Sequence, residues 1–176
     1  MDKFKEKLNT LDDVHKRFSF NYFTKQEVLT NMTSMVSKSN KIIRSYFGNF
    51  NAKVCFVVDF DKTNDLIIDL IKKFYARNNA EFYSLYITSY NKFGKKDIDE
   101  KFLTKELEVI NPSRVVFLGD TVSGKFDSIN LNKDELNVLI DCLADKENTK
   151  KHNNYKEVRE NFIECIKFAL YGRKED

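Results

Sequence analysis

Several residues that mark special classes of protein are scarce in this sequence or missing from it. The chain has three cysteines, with no CxxC pair and no Cys/His cluster, which argues against a disulfide framework, a structural zinc site and an iron–sulfur site. No apolar run approaches the roughly 20 residues that cross a bilayer, and the opening MDKFKEKLNT lacks the apolar stretch of a signal peptide. We therefore expect a cytoplasmic protein that is not secreted, has no membrane partner and needs no metal or other cofactor.

The residues that are present fit one globular domain. Of the 176 residues, 41% are apolar and 32% charged, and this length holds one buried core but not two ordinary domains. Cys55, Cys142 and Cys165 each lie in an apolar segment, so we expect buried thiols. The net charge of +3 is too small to indicate a partner by itself.

Hydrophobic spacing divides this domain into N-terminal helices over residues 1–50 and an α/β core over residues 52–176. Apolar residues recur every three or four positions from Phe4 to Phe18, and a second helix is predicted from Thr24 to Phe47. The core then alternates short apolar runs, typical of buried strands, with segments of helical periodicity. In order these are the strand KVCFVVDF (53–60), the helix TNDLIIDLIKKFYARNN (63–79), the strand EFYSLYITSY (81–90) and the helix KDIDEKFLTKELEVIN (96–111).

The only proline, Pro112, disfavours helical geometry at Asn111 and so ends the last of these helices. RVVFLGD (114–120) is predicted as a third strand, LNVLIDCL (136–143) as a fourth after a polar linker, and YKEVRENFIECIKFAL (155–170) as the final helix. Strands separated by helices form parallel βαβ units with right-handed crossovers. The sequence therefore predicts an α/β fold: a three-layer α/β/α sandwich around a four-stranded, mainly parallel sheet.

Lysines occur in every loop that is predicted to follow a strand. Ligands of such open sheets bind outside the carboxyl ends of the strands, so these lysines are candidates for contacting the phosphate backbone of DNA. Tyr90 and Phe93 lie among them as rings on which bases could stack. Solvated loop lysines with no partner are an equally good interpretation. The candidate backbone contacts are Lys92, Lys95, Lys96, Lys125 and Lys146.

One motif points to a different class of ligand. GDTVSGK, residues 119–125, matches the GxxxxGK pattern of a phosphate-binding loop directly after a predicted strand. The next residue is Phe126, so the hydroxyl that would hold magnesium is missing. Because FDSINLN also fails to open a helix, nucleoside triphosphate binding is disfavoured.

Two longer segments carry a resemblance to a known family. FYSLYITSYNKF, followed by FLTKELEVINPSRVVFLGD, resembles the second half of the uracil-DNA glycosylase superfamily, notably its shorter bacterial members. There a YITN strand precedes a helix that ends in a similar "fL..El..i.P..iv.LG" pattern, and KVCFVVDF stands where the family has its first strand. The likeness covers roughly residues 52–121. It implies a uracil-DNA glycosylase-like fold and metal-free hydrolysis of the N-glycosidic bond of a nucleotide flipped out of DNA.

The resemblance also implies which residues would do this work. VDFDKTND replaces the family's "GE.PG" loop, so Asp59 or Asp61 would orient the attacking water, with Phe60 between them at the base pocket. Ser89 stands where the family has an asparagine that reads the base, and Asn91 lies two residues later. The family's HPS motif aligns with ADK here, which leaves His152 or Lys146 to stabilise the departing base.

Two hypotheses of different classes remain open at this point. In the first, the protein is an active, divergent glycosylase in base excision repair. In the second, the scaffold has lost its chemistry and serves as an accessory that binds DNA or a protein partner in replication, repair or virus–host conflict. Since all three catalytic motifs are altered, the second is favoured. An active enzyme predicts that Asp59 or Asp61, Ser89 or Asn91, and His152 converge on one pocket.

Overall fold

Helices and strands alternate through most of the core. A computed structural model describes residues 48–59 and 65–173, so the predicted N-terminal helices, Phe60 and Asp61 lie outside the described residues. The described elements are β1 (Val54–Val58), α1 (Asp65–Arg77), β2 (Tyr86–Ser89), α2 (Lys96–Ile110), β3 (Arg114–Leu118), β4 (Asp127–Leu131), α3 (Lys133–Ala144) and α4 (Tyr155–Tyr171), with short 3-10 helices at Phe82–Ser84 and Lys146–Lys151.

The four strands form one parallel sheet in the order β2-β1-β3-β4. β1 and β3 are the central strands. From β1 the chain continues to β2 at one edge of the sheet, and from β3 it continues to β4 at the opposite edge. The order therefore reverses between β1 and β3, and this switch point is where open parallel sheets form their ligand crevice.

Both faces of the sheet are covered, which explains the continuous apolar runs of the central strands. Phe56 and Leu118 face a core shared with α1, α3 and α4, whereas Val57 and Phe117 face a second core beneath α2. The sheet thus lies between two apolar layers, and the predicted three-layer α/β sandwich is confirmed.

The helix that precedes β3 ends as the proline predicts. Asn111 adopts the left-handed conformation (φ 56°, ψ 53°), and its backbone N–H donates to the carbonyl of Leu107. Pro112 follows and is buried at the start of the connection to β3. The helix end and the strand start therefore lie where the sequence predicted them.

The predicted fourth strand is wrong. LNVLIDCL belongs to α3, whose Asn132 side chain accepts a hydrogen bond from the backbone N–H of Glu135 at 2.9 Å and so caps the helix. Leu136, Leu139 and Cys142 are buried at a three-residue spacing, which is a helical period. The fourth strand is instead DSINL, inside the segment predicted to be a polar linker.

The structure confirms that all three cysteines are buried thiols, and none of them is in a disulfide. Burial raises the pKa of the Cys165 thiol to about 12, with smaller contributions from Glu135 and Glu164, so its reactive thiolate form is disfavoured. Within the described residues, no helix combines the length and the apolar character needed to span a membrane.

Candidate functional site

An open cleft of about 590 Å³ lies at the switch point of the sheet. We call it the switch-point cleft. Strand ends supply Asp59 after β1, Tyr90 and Asn91 after β2, and residues 120–122 after β3, while α2 and α3 contribute Lys96 and Lys133 from their first turns. Its volume is within the range of small-molecule sites.

Asp59 is fixed in the floor of this cleft. Its side chain is buried, with 8% of its surface exposed. One carboxylate oxygen accepts a hydrogen bond from the Tyr90 hydroxyl at 3.0 Å, and the other accepts one from the Asn91 side-chain amide at 2.9 Å. Two donors from the turn that follows β2 thus set the orientation of the carboxylate.

Tyr90 bridges the ends of three strands. Its hydroxyl contacts Asp59 and also the backbone of Asp120 beyond β3. Burial raises the pKa of Tyr90 well above the ordinary tyrosine value, and the adjacent Asp59 charge and hydrogen bond raise it further. The phenol therefore stays protonated and serves as a donor to Asp59 at neutral pH.

Gly119 makes room for this tyrosine. Its φ of +127° is unfavourable for other residues, and a Cβ built there would lie 2.9 Å from Cε1 of the Tyr90 ring and still closer to the hydroxyl. The close approach of the Tyr90 ring thus explains why glycine follows Leu118 at the end of β3.

Gly119→Ala is therefore expected to lower the free energy of unfolding by about 2–3 kcal/mol, because backbone strain and overpacking act together. Urea denaturation measures the change. Gly94→Ala is the matched control, since Gly94 also has a positive φ but no atom lies within 4 Å of the added Cβ. Equal losses in the two variants would mean that the contact with Tyr90 is unimportant.

The lining of the switch-point cleft is acidic on balance. Four carboxylates (Asp59, Asp99, Glu100 and Asp120) face two lysines (Lys96 and Lys133). Lys133 Nζ already lies 3.1 Å from a carboxylate oxygen of Asp120. A lining of this kind favours a group that carries or develops positive charge over a bound phosphate.

Asp99 connects the cleft to the turn before α2. It is buried and accepts the backbone N–H of Phe93 at 2.7 Å. Burial raises its pKa, while hydrogen bonds from Phe93 and neighbouring amides and the charge of Lys92 oppose the rise. Its oxygen therefore holds the turn as well as lining the cleft.

The structure brings only part of the predicted site together. Asp59, Asn91 and Lys96 line the switch-point cleft, and Lys95 directly precedes α2 at its edge. Ser89 is 1% exposed, so a base in the cleft cannot be read by its side chain, and this half of the prediction is wrong.

The histidine is elsewhere, because its predicted place depended on the wrong fourth strand. His152 Nε2 lies 2.8 Å from Asp141 Oδ2, near the end of α3, and lines no part of the switch-point cleft. Lys146 lies in the exposed 3-10 helix that follows α3. A convergent catalytic role for either residue is not supported.

We expect His152→Ala to leave nucleic-acid binding and base release unchanged within twofold. Its pair with Asp141 is part-exposed, so the expected loss of stability is below about 1 kcal/mol. A filter-binding titration and a base-release assay against wild type measure the effect. A tenfold loss in either assay would show that His152 takes part in binding or catalysis.

Two further lysines are not where DNA contact requires them. Lys92 is 4% exposed and forms an ion pair with Glu106 at 2.9 Å, so its predicted contact with a phosphate backbone is wrong. Lys125 is exposed, but it lies two residues before β4, in a separate groove with Pro112 and Phe126. GDTVSGK leads through Phe126 into β4 and not into a helix, so it is not a phosphate-binding loop.

Sequence reasoning missed the buried network around Glu106. Glu106 follows Phe102 and Leu103 by four and three residues on the buried side of α2, so a charged residue stands among apolar ones. That interruption is the signal that could have revealed it, because a buried carboxylate requires partners.

Within the described part of the chain, no group of three or more His, Cys, Asp and Glu side chains is arranged to hold a metal ion. A scan against models of known protein families finds no match, and a search of curated proteins gives no significant match either. The geometry of the cleft is therefore the basis on which a function can be proposed.

Proposed function

We propose that the protein acts on DNA as a uracil-DNA glycosylase-like enzyme, binding an extruded nucleotide in the switch-point cleft and hydrolysing its N-glycosidic bond. The observation that carries this proposal is the position of Asp59. It follows the first strand, where the resemblance requires the water-orienting group, and it lies in the open cleft with its carboxylate held by Tyr90 and Asn91.

In the proposed reaction, different residues of the cleft activate the water and stabilise the charges that develop. Asp59 accepts a proton from the attacking water, which needs a fixed carboxylate within hydrogen-bond reach. Cleavage of a glycosidic bond develops positive charge on the sugar, and the acidic lining stabilises that charge. Of the two lysines in the cleft, Lys133 forms an ion pair with Asp120. We therefore assign to Lys96 the stabilisation of the negative charge on the departing base.

Access to the cleft requires a nucleotide outside the base stack. Enzymes that act on a base within duplex DNA rotate it out, or they bind single strands. The half-buried Tyr90 ring provides a face on which such a base can stack, and the exposed Lys95 and Lys96 are next to the cleft for contact with flanking phosphates.

A second candidate function is an accessory protein that keeps this scaffold without the chemistry. It is favoured by the place of His152, which bonds to Asp141 and lies outside the cleft. Among the described residues that line the cleft, none is a histidine. Such a protein would bind DNA or a protein partner without releasing a base.

A single-turnover assay with wild-type protein separates these functions. Single- and double-stranded oligonucleotides with one deoxyuridine are compared with matched thymidine oligonucleotides, and binding and base release are recorded in the same samples. Release from the deoxyuridine strands alone supports the enzyme. Binding without release supports the accessory that binds DNA. If neither binding nor release is observed, the remaining possibility is an accessory that binds a protein partner.

A further inference from the structure

A buried ion pair joins α2 to the turn after β2, and both of these segments also supply residues that line the switch-point cleft. Lys92 and Glu106 are 4% and 2% exposed, and their charged atoms are 2.9 Å apart. The Lys92 ammonium also donates to the Thr88 hydroxyl and, at 2.6 Å, to the backbone carbonyl of Ser89. Its position 5.6 Å from the centre of the Phe102 ring adds a cation–π contact.

The hydrogen-bond donors of the Lys92 ammonium are all satisfied within this network. An ammonium has three donors, and Lys92 has an acceptor for each: Thr88, Ser89 and Glu106. Glu106 accepts in addition from the Tyr86 hydroxyl and from Thr88. Since the ammonium is saturated and lines no part of the cleft, its effect on a ligand must act through the residues that it holds.

Those residues are the end of β2 and the turn that follows it. The Ser89 carbonyl belongs to the peptide group that leads into Tyr90, and the Tyr90 N–H continues the sheet ladder by donating to the Val58 carbonyl at 3.2 Å. Asn91 comes next, and the Phe93 N–H is held by Asp99. Lys92 therefore holds the turn between two backbone hydrogen bonds, one from Tyr90 and one from Phe93. The same short segment supplies both donors to Asp59.

The energetics also indicate a role other than stability. Burying two charges costs several kcal/mol per ion, and apolar residues of similar volume are often as stable. Satisfied buried polar networks instead fix one arrangement of the chain. A buried ion pair that two apolar residues could replace at similar stability is thus best explained by the conformation it selects.

We infer that Lys92, held by Glu106, is a positioning residue that fixes the turn after β2 so that Tyr90 and Asn91 both reach Asp59. The inference depends on the proposed function only for its catalytic consequence, because the contact with Asp59 can be measured without any reaction. Lys92 touches no ligand itself.

The test uses the double variant Lys92→Met, Glu106→Gln, which removes both charges and leaves an amide to bond Tyr86 and Thr88. Exchange of the Asn91 side-chain amide protons is followed by NMR, and the melting temperature is recorded beside it. We expect exchange at Asn91 to accelerate on the order of tenfold, because the turn opens locally. The single variant Lys92→Arg, which retains the charge, is expected to keep more of the protection.

Two controls separate positioning from stability. Lys101→Met removes an exposed lysine from α2, and Val158→Ala weakens the other apolar core by a small cavity. Neither is expected to change exchange at Asn91. Unchanged exchange in the folded double variant, or equal acceleration in Val158→Ala, would overturn the inference.

The catalytic consequence is measured separately. If wild type releases uracil, the double variant is expected to lose at least tenfold in single-turnover rate with binding within threefold of wild type. An unchanged rate would contradict the positioning role. Absence of release by wild type would count against the proposed enzyme, while the exchange of Asn91 would still decide the inference.

Discussion

Lys92→Met is expected to lower the free energy of unfolding by about 3–5 kcal/mol, because the substitution leaves the Glu106 carboxylate buried without its cation. Methionine fills nearly the same space, so the loss comes from the uncompensated charge and not from a cavity. Urea denaturation followed by circular dichroism measures the loss as a lower midpoint.

The double variant Lys92→Met, Glu106→Gln distinguishes this cause from a loss of packing. Without the carboxylate there is no buried charge to leave unpaired, so most of the stability is expected to return. An exposed-site control, Lys101→Met, is expected to change stability by less than about 0.5 kcal/mol. A single variant that costs less than 1 kcal/mol would show that Glu106 finds another partner, or that the pair is not buried.

Asp59→Asn is expected to reduce the single-turnover rate of base release by about 10²–10⁴-fold, since an amide cannot take a proton from water. The substitution keeps the shape of the side chain and an oxygen that can accept from Asn91 or Tyr90. DNA binding is therefore expected to stay within about threefold of wild type. The rate is measured with enzyme in excess over a deoxyuridine oligonucleotide.

Asp69→Asn is the matched control, because it makes the same change on the exposed side of α1. Asp61→Asn belongs in the same series, since the resemblance allows either Asp59 or Asp61 to orient water. Full activity in Asp59→Asn with loss in Asp61→Asn would assign the catalytic carboxylate to Asp61. Activity in both would contradict a carboxylate mechanism.

The sheet could be predicted wherever apolar runs are covered on both faces. β1 and β3 are buried along almost their whole length, so their composition alone identifies them. β4 is an edge strand of which only Leu131 is fully buried, and it carries too little apolar surface to stand out from a loop. The connection from β3 to β4 is also only residues 119–126 and has no helix, whereas parallel strands are usually joined by longer crossovers.

This one misplaced strand accounts for the main error at the site. Asp59 and Asn91 follow strands that were placed correctly, so their meeting at the carboxyl edge follows from topology. The sequence predicts His152 near them only if residues 136–143 form the fourth strand, and these residues belong to α3. A lysine in a loop gives no sequence signal of burial by itself, so Lys92 became visible only through its partner on α2.

Both the enzymatic and the DNA-binding role of this site require that the switch-point cleft receives a base. The most direct measurement is an NMR titration of the protein with a short oligonucleotide carrying 2′-fluoro-deoxyuridine, whose fluorine slows release of the base. The largest shifts are expected at the backbone amides of Tyr90, Asn91, Gly94 and Thr121, all of which line the cleft. Shifts confined to the groove around Lys125 and Phe126, or no shifts at all, would contradict this expectation.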